Sequence, residues 1–201
     1  MDARDLLIEE HSAVHSAAVG GNKASMAERT FGGLTDDQMR VRPREDLNSL
    51  AWLLWHIARA EDIMANLVVN GRGQVFDDGW MQRLKIARRD FGIGMTKPEV
   101  AELSATIDIA ALRDYRDAVG RRTREIVGAY GPKDWEGAIE AAALERAGTL
   151  GCFGERTEAL TKAFTGRPRR AVLTGIVVIH SAMHMGEGAT VRAAGGFGTG
   201  I

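Results

Sequence analysis

The chain has 201 residues, 45% of them hydrophobic and 26% charged, which suits one globular domain and is too apolar for a disordered chain. Lys+Arg at 26 against Asp+Glu at 27 leaves a net charge of -1, so there is no bulk electrostatic pull toward nucleic acid or an anionic membrane. One cysteine, Cys152, excludes an internal disulfide and a cysteine-based zinc cluster, and neither a secretory leader nor an apolar run of roughly 18 residues is found, so a cytoplasmic location is expected.

Helical periodicity dominates in chain order. The first segment runs from Ala3 to about Val19, with Leu6, Leu7, Val14 and Ala18 near helical spacing and Gly20-Gly21 as its stop. His11 and His15 lie beside Ser12 and Ser16 on this helix, which predicts a polar face. Thr35-Asp36-Asp37-Gln38 has the pattern of a capping box, and Pro43 breaks the chain after it. Asn48 is the expected N-cap of the next long helix, on which Leu50, Leu53, Ile57, Ala60, Met64 and Leu67 repeat with a period near 3.6 until Asn70-Gly71. From Arg72 to Met95 the sequence is irregular, with a short helix expected around Trp80 to Arg89.

Thr96-Lys97-Pro98-Glu99 opens another capped helix. A third long helix is expected from Asp108 to Gly131-Pro132, carrying Leu112, Tyr115, Val119, Ile126 and Tyr130 on its apolar stripe and a solvated face of Arg113, Arg116, Arg121, Arg122 and Arg124. Weaker helical pieces fall at about 138–147 and 155–164, with Cys152 in the turn between them. The last long helix starts at Arg167-Pro168 and ends near Ala194, and the glycine-rich residues 195–201 form an expected flexible tail. Four long amphipathic helices with longer crossovers predict an all-α, four-helix bundle over residues 1–194.

The five histidines carry the chemistry. His180 and His184 are four apart on the last helix, so their rings leave one face a turn apart. That spacing suits two ligands of one ion, but it is common and unspecific, and by itself it favours two core or rim histidines bonded to carbonyls. His56, mid-way along the second long helix, flanks its buried stripe and can join the pair. Three nitrogen ligands leave an open coordination position, the arrangement of catalytic sites. His11 and His15 repeat the spacing, but their polar surroundings favour a solvated face over a metal site. Cys152 has no base near it in sequence and reads as packing rather than a nucleophile.

These segments resemble the DinB/YfiT-like metalloenzyme superfamily. The resemblance rests on Leu34-Thr35 to Pro43, the run Leu50-Ala51-Trp52-Leu53-Leu54-Trp55-His56-Ile57-Ala58-Arg59-Ala60-Glu61-Asp62, the following Asp77-Asp78-Gly79-Trp80, and His180-Ser181-Ala182-Met183-His184-Met185-Gly186-Glu187. It implies a four-helix bundle with short extra helices and a divalent metal held by His56, His180 and His184. Family members include S-transferases for low-molecular-weight thiols such as mycothiol and bacillithiol. The chain departs from relatives at Glu187, where Gln is common, and Glu187 is open to being a fourth ligand, a general base or the partner of a metal-bound water.

On this reading the expected activity is transfer of a small, mycothiol-like thiol to an electrophilic co-substrate. Zinc suits the ligand set best, with nickel, iron and cobalt as alternatives. Glu61, Asp62, Asp77, Asp78 and Glu187 are the carboxylates available to orient ligands. Trp52, Trp55 and Trp80 offer an apolar wall, and arginines of the 72–95 segment offer a hold on a carboxylate-bearing thiol. The alternatives are a metal-dependent hydrolase with Glu187 as base, and a non-enzymatic, stress-associated bundle. A homodimer is expected from the family alone.

Overall fold

The computed structural model describes residues 2–198. The helices are α1 (Ala3–Val14), α2 (Ala17–Gly20), α3 (Met26–Phe31), α4 (Asp36–Arg40), α5 (Leu50–Glu61), α6 (Asp78–Leu84), α7 (Lys97–Thr106), α8 (Ile109–Gly128), α9 (Ala141–Thr149), α10 (Thr157–Phe164), α11 (Arg169–Leu173) and α12 (Ser181–Ala194). α5 continues into π-helical Asp62–Val69, and α11 continues through π-helical Thr174–His180 into α12. Among the described residues the only sheet-like pairing is an isolated bridge between Ala138 and Pro168. The fold is all-α, and no helix among the described residues is long and apolar enough to cross a membrane.

Four long rods dominate. α8 packs on α1 and α5, α12 packs on α5 and α3, and the Thr174–His180 stretch packs on α1. The 50–69 rod is enclosed on all sides: every one of its residues is buried. A helix apolar on most faces can be enclosed this way, but each charge it carries must then find a partner. Arg59, Glu61 and Asp62 do so, and these pairings organise the interior.

Local signals explain the boundaries. Both capping boxes form, at Thr35 and Thr96, and Asp108 caps α8. The cap of α5 is Ser49, whose Oγ accepts the Trp52 amide at 3.0 Å, and not Asn48 as expected. That leaves the Asn48 side chain free to reach α12. The first helix is also shorter than its periodicity predicts, because His15 turns extended (φ -116°, ψ 169°) and the chain restarts as α2.

Within the described part of the expected tail, Phe197 bonds back to Arg192, its amide donating to the Arg192 carbonyl at 3.0 Å and its carbonyl accepting from Arg192 Nε at 3.1 Å. The remainder of the expected tail, residues 199–201, lies outside the described residues.

Candidate metal centre

His56 is carried by the enclosed rod, His180 ends the π-helical stretch, and His184 sits one turn on in α12. Their rings gather with centroids 4.6 to 4.9 Å apart. One nitrogen from each lies within 4.8 Å of the others. The element that carries His180 widens into i→i+5 helix at that residue, a distortion common at functional sites.

The tautomers follow from the partners. His56 Nδ1 donates to the Phe91 carbonyl, which only accepts, so its Nε2 keeps a lone pair. His184 Nδ1 donates to Glu187 Oε2 at 2.8 Å, which leaves Nε2 as the ring nitrogen not used by that bond. His56 Nε2 and His180 Nε2 stand 3.1 Å apart, and buried His180 Nδ1 has no partner. The inward lone pair of His56 fits a cation, and so does the pattern of outer bonds at His56 and His184: ligand histidines characteristically give their other N–H to a carbonyl or carboxylate. Burial lowers His56 to about 4 against the Phe91 bond, and lowers His180 to about 3 with help from His56 and His184. Neutral imidazole is the form that binds metal.

The 88–92 segment is built to present the Phe91 carbonyl. Buried Arg59 bonds the Arg89 carbonyl and the Gln74 side chain. Arg88 bridges Asp90 and Glu99, and Asp90 accepts the Gly92 amide at 2.8 Å. Gly92 has φ +89°, and a Cβ there would lie 2.7 Å from Trp55 and 3.0 Å from Trp52, so only glycine lets the loop close on the two indoles. Trp52 stacks on His56 and donates its indole N–H to Met95 Sδ at 3.2 Å.

Glu187 stands behind His184 with both oxygens engaged. Oε2 accepts from His184 and Oε1 from Asn48 Nδ2 at 2.9 Å. The His184 bond, with Asn48 assisting, holds the Glu187 carboxyl below its usual range.

The histidines open onto a cavity of about 420 Å³ also lined by Asn48, Trp52, Met95 and Val100. Trp80 packs instead on Tyr115, and Trp55 is fully buried. The arginines expected to hold a carboxylate do not line this cavity: Arg83 pairs with Asp114, Arg88 with Asp90 and Glu99, Arg89 with Asp78, and Arg72 with Glu125. The loop folds back on its own acids and neighbours.

A second group, His11, His15 and Glu61, lies on the same interior. The expected polar face is buried: His11 is 1% and His15 0% exposed. Arg116, expected in a solvated stripe, is 3% exposed and pairs with Glu61. Against its burial, Arg116 and His11 hold Glu61 well below the usual carboxylate range. The Ser16 amide donates to His15 Nδ1 at 2.8 Å, so that lone pair is used. With Glu61 neutralised by Arg116, this group forms a charge-balanced interior pair. Its signal lay in Glu61, a charge on a rod apolar on all faces.

Of the other carboxylates, Asp62 accepts the Val75 and Phe76 amides and the Tyr115 hydroxyl at 2.7 to 2.9 Å. Asp77 caps α6 and Asp78 pairs with Arg89. Cys152 is buried, its thiol pushed up by burial.

The sequence matches the family model of the DinB superfamily over residues 23–187. A solved structure described as the conserved protein of locus from Enterococcus faecalis aligns with a TM-score of 0.69 at 17% identity, covering 96% of this chain and 97% of that one. At that identity the likeness is one of fold. No curated protein matches the sequence.

Proposed function

The chain belongs to the DinB superfamily, and from that premise we propose a divalent-metal-dependent transferase that activates a low-molecular-weight thiol at His56, His180 and His184. The observation that carries the reading is the convergence of three ring nitrogens within 4.8 Å, with two of the outer ring nitrogens given to acceptors. A divalent ion bound there supplies a Lewis acid that lowers the pKa of a thiol and holds its sulfur as thiolate at neutral pH. Zinc suits three imidazoles and a soft fourth ligand.

The chain's own groups do the rest. The Phe91 carbonyl and Glu187 fix the His56 and His184 tautomers, and Trp52 holds the His56 plane. Trp52, Met95 and Val100 give the cavity an apolar wall beside the histidines. Glu187 acts as a positioning residue: its oxygens are bonded to Asn48 and His184, which weakens the hydrolytic reading that makes it a base.

The test is metal analysis of protein purified without chelators, followed by conjugation of a thiol such as mycothiol to a bimane. About one equivalent of metal, with conjugation well above that of the chelator-stripped protein, is expected. Metal below about a tenth of an equivalent supports the non-enzymatic reading, and equal rates with and without metal overturn the thiol reading.

A further inference from the structure

The cavity above the three histidines contains no formally charged side chain in its lining. In a chain that is 26% charged, ten lining residues without an acid, lysine or arginine is a chemical statement about the occupant. Trp52, Ile93, Met95 and Val100 supply side-chain walls, glycines 92 and 94 supply backbone, and Asn48 is the one polar side chain besides the ligands. One N–H of the Asn48 amide is already committed to Glu187. Arg88 lies between Asp90 and Glu99, and Glu187 between His184 and Asn48; the cation at the rim is Arg156, whose Nη2 lies 3.9 Å from where a Cβ of Gly94 would stand.

The apolar character continues outward. Ile93, which lines the cavity, is 46% exposed.

We infer that the compound presented to this centre is neutral and apolar in the part that lies beside the metal, an aryl or alkyl body and not an acidic one. The inference rests on the three-histidine reading and adds the class of substrate. A carboxylate placed beside Trp52 and Val100, away from Arg156 at the Gly94 rim, loses hydration and finds no arginine or lysine in the lining to replace it. An aromatic body finds the Trp52 indole and the Met95 thioether, both good partners for a ring.

The test uses the full chain loaded with cobalt(II), titrated with phenylmethanethiol and with its para-carboxylate and para-aminomethyl analogues. The near-ultraviolet thiolate-to-cobalt band reports sulfur binding specifically, so coordination through a carboxylate does not register. The neutral thiol is expected to bind at least about tenfold more tightly than either charged one, consistent with the cost of burying an unpaired charge. Ile93→Lys, at an exposed rim position, is expected to narrow the gap for the carboxylate analogue only. A gap below about tenfold, or one that Ile93→Lys leaves unchanged, overturns the inference while the metal reading stands. Failure of cobalt to bind overturns the three-histidine reading, and this inference with it.

Discussion

The Trp52 indole lies over the His56 imidazole with centroids 4.8 Å apart and planes 9° from parallel. Trp52 and His56 are four apart in α5, so one helical turn sets both the proposed metal ligand and the plate that holds its plane. Trp52→Leu removes the plate and is expected to weaken metal binding by about tenfold, in the range for groups that orient a ligand. Trp52→Phe keeps an aromatic face and is expected to retain most of the affinity. Competition with a chromophoric chelator measures both.

The ligands themselves give the sharper outcome. His56→Ala, His180→Ala and His184→Ala are each expected to lose metal while far-ultraviolet circular dichroism stays helical, because the rods are held by packing elsewhere. Unchanged occupancy in all three variants removes the ligand set.

Acid should destabilise the metal-free protein in a defined window. Burial depresses His56 to about 4 and His180 to about 3. A histidine with a depressed folded pKa leaves the unfolded chain with more bound protons between that value and about 6.5. Stability is therefore full above about pH 6.5 and falls as pH drops toward 3. Glu61, depressed in the fold, adds loss in the same direction once pH falls below the ordinary carboxylate range. Urea denaturation across this range checks the sign, and His56→Ala should flatten the slope above about pH 4.5.

How much of this was legible in sequence depends on which physical signal carried it. Period and caps are local, and Thr35, Thr96 and Asp108 start their helices as their side-chain chemistry requires. The set of His56, His180 and His184 was reachable because a turn of helix fixes i and i+4, while the joining of two rods came from the family resemblance. The buried face of His11 and His15 was not legible. Neighbouring serines made it look polar, but Ser12 bonds the Ile8 carbonyl within its own helix and Ser16 bonds Asp117, so both serine hydroxyls are satisfied without a solvated face. Arg116 was misread for the same reason: an arginine among arginines carries no local mark of the glutamate on another rod that it meets. Ser49 displaced Asn48 as the cap because two adjacent good caps compete, and only the tertiary bond from Asn48 to Glu187 shows which is freed.

The irregular 72–92 segment is pinned from the core. Arg59 and Asp62, both fully buried, are within 3.3 Å, and Asp62 also takes two backbone amides from this segment. Removing one member strands the other, which costs about 3 to 5 kcal/mol for a buried pair. Asp62→Ala is expected to fall in that range by urea denaturation. The milder Arg88→Ala, at the half-buried outer clamp, should leave global stability nearly unchanged and loosen metal binding through the Phe91 carbonyl.

Gly120 gives the most direct test of why His15 breaks the first helix. A Cβ at Gly120 would stand 2.3 Å from His15 Nε2 and 2.6 Å from its Cε1. The bare backbone of α8 is therefore the seat into which the ring turns, and the extended His15 backbone is the geometry that delivers it. Alanine has the better intrinsic helix propensity, by about 1 kcal/mol over glycine, so on propensity alone Gly120→Ala stabilises. The clash reverses the sign: the ring is fully buried, and overpacking of this kind costs about 1 to 3 kcal/mol. Gly120→Ala is expected to lower the midpoint of urea unfolding, and adding His15→Ala should recover much of the loss because the ring that clashes is gone. A double-mutant cycle with no coupling between the two positions would show that the ring does not depend on the glycine.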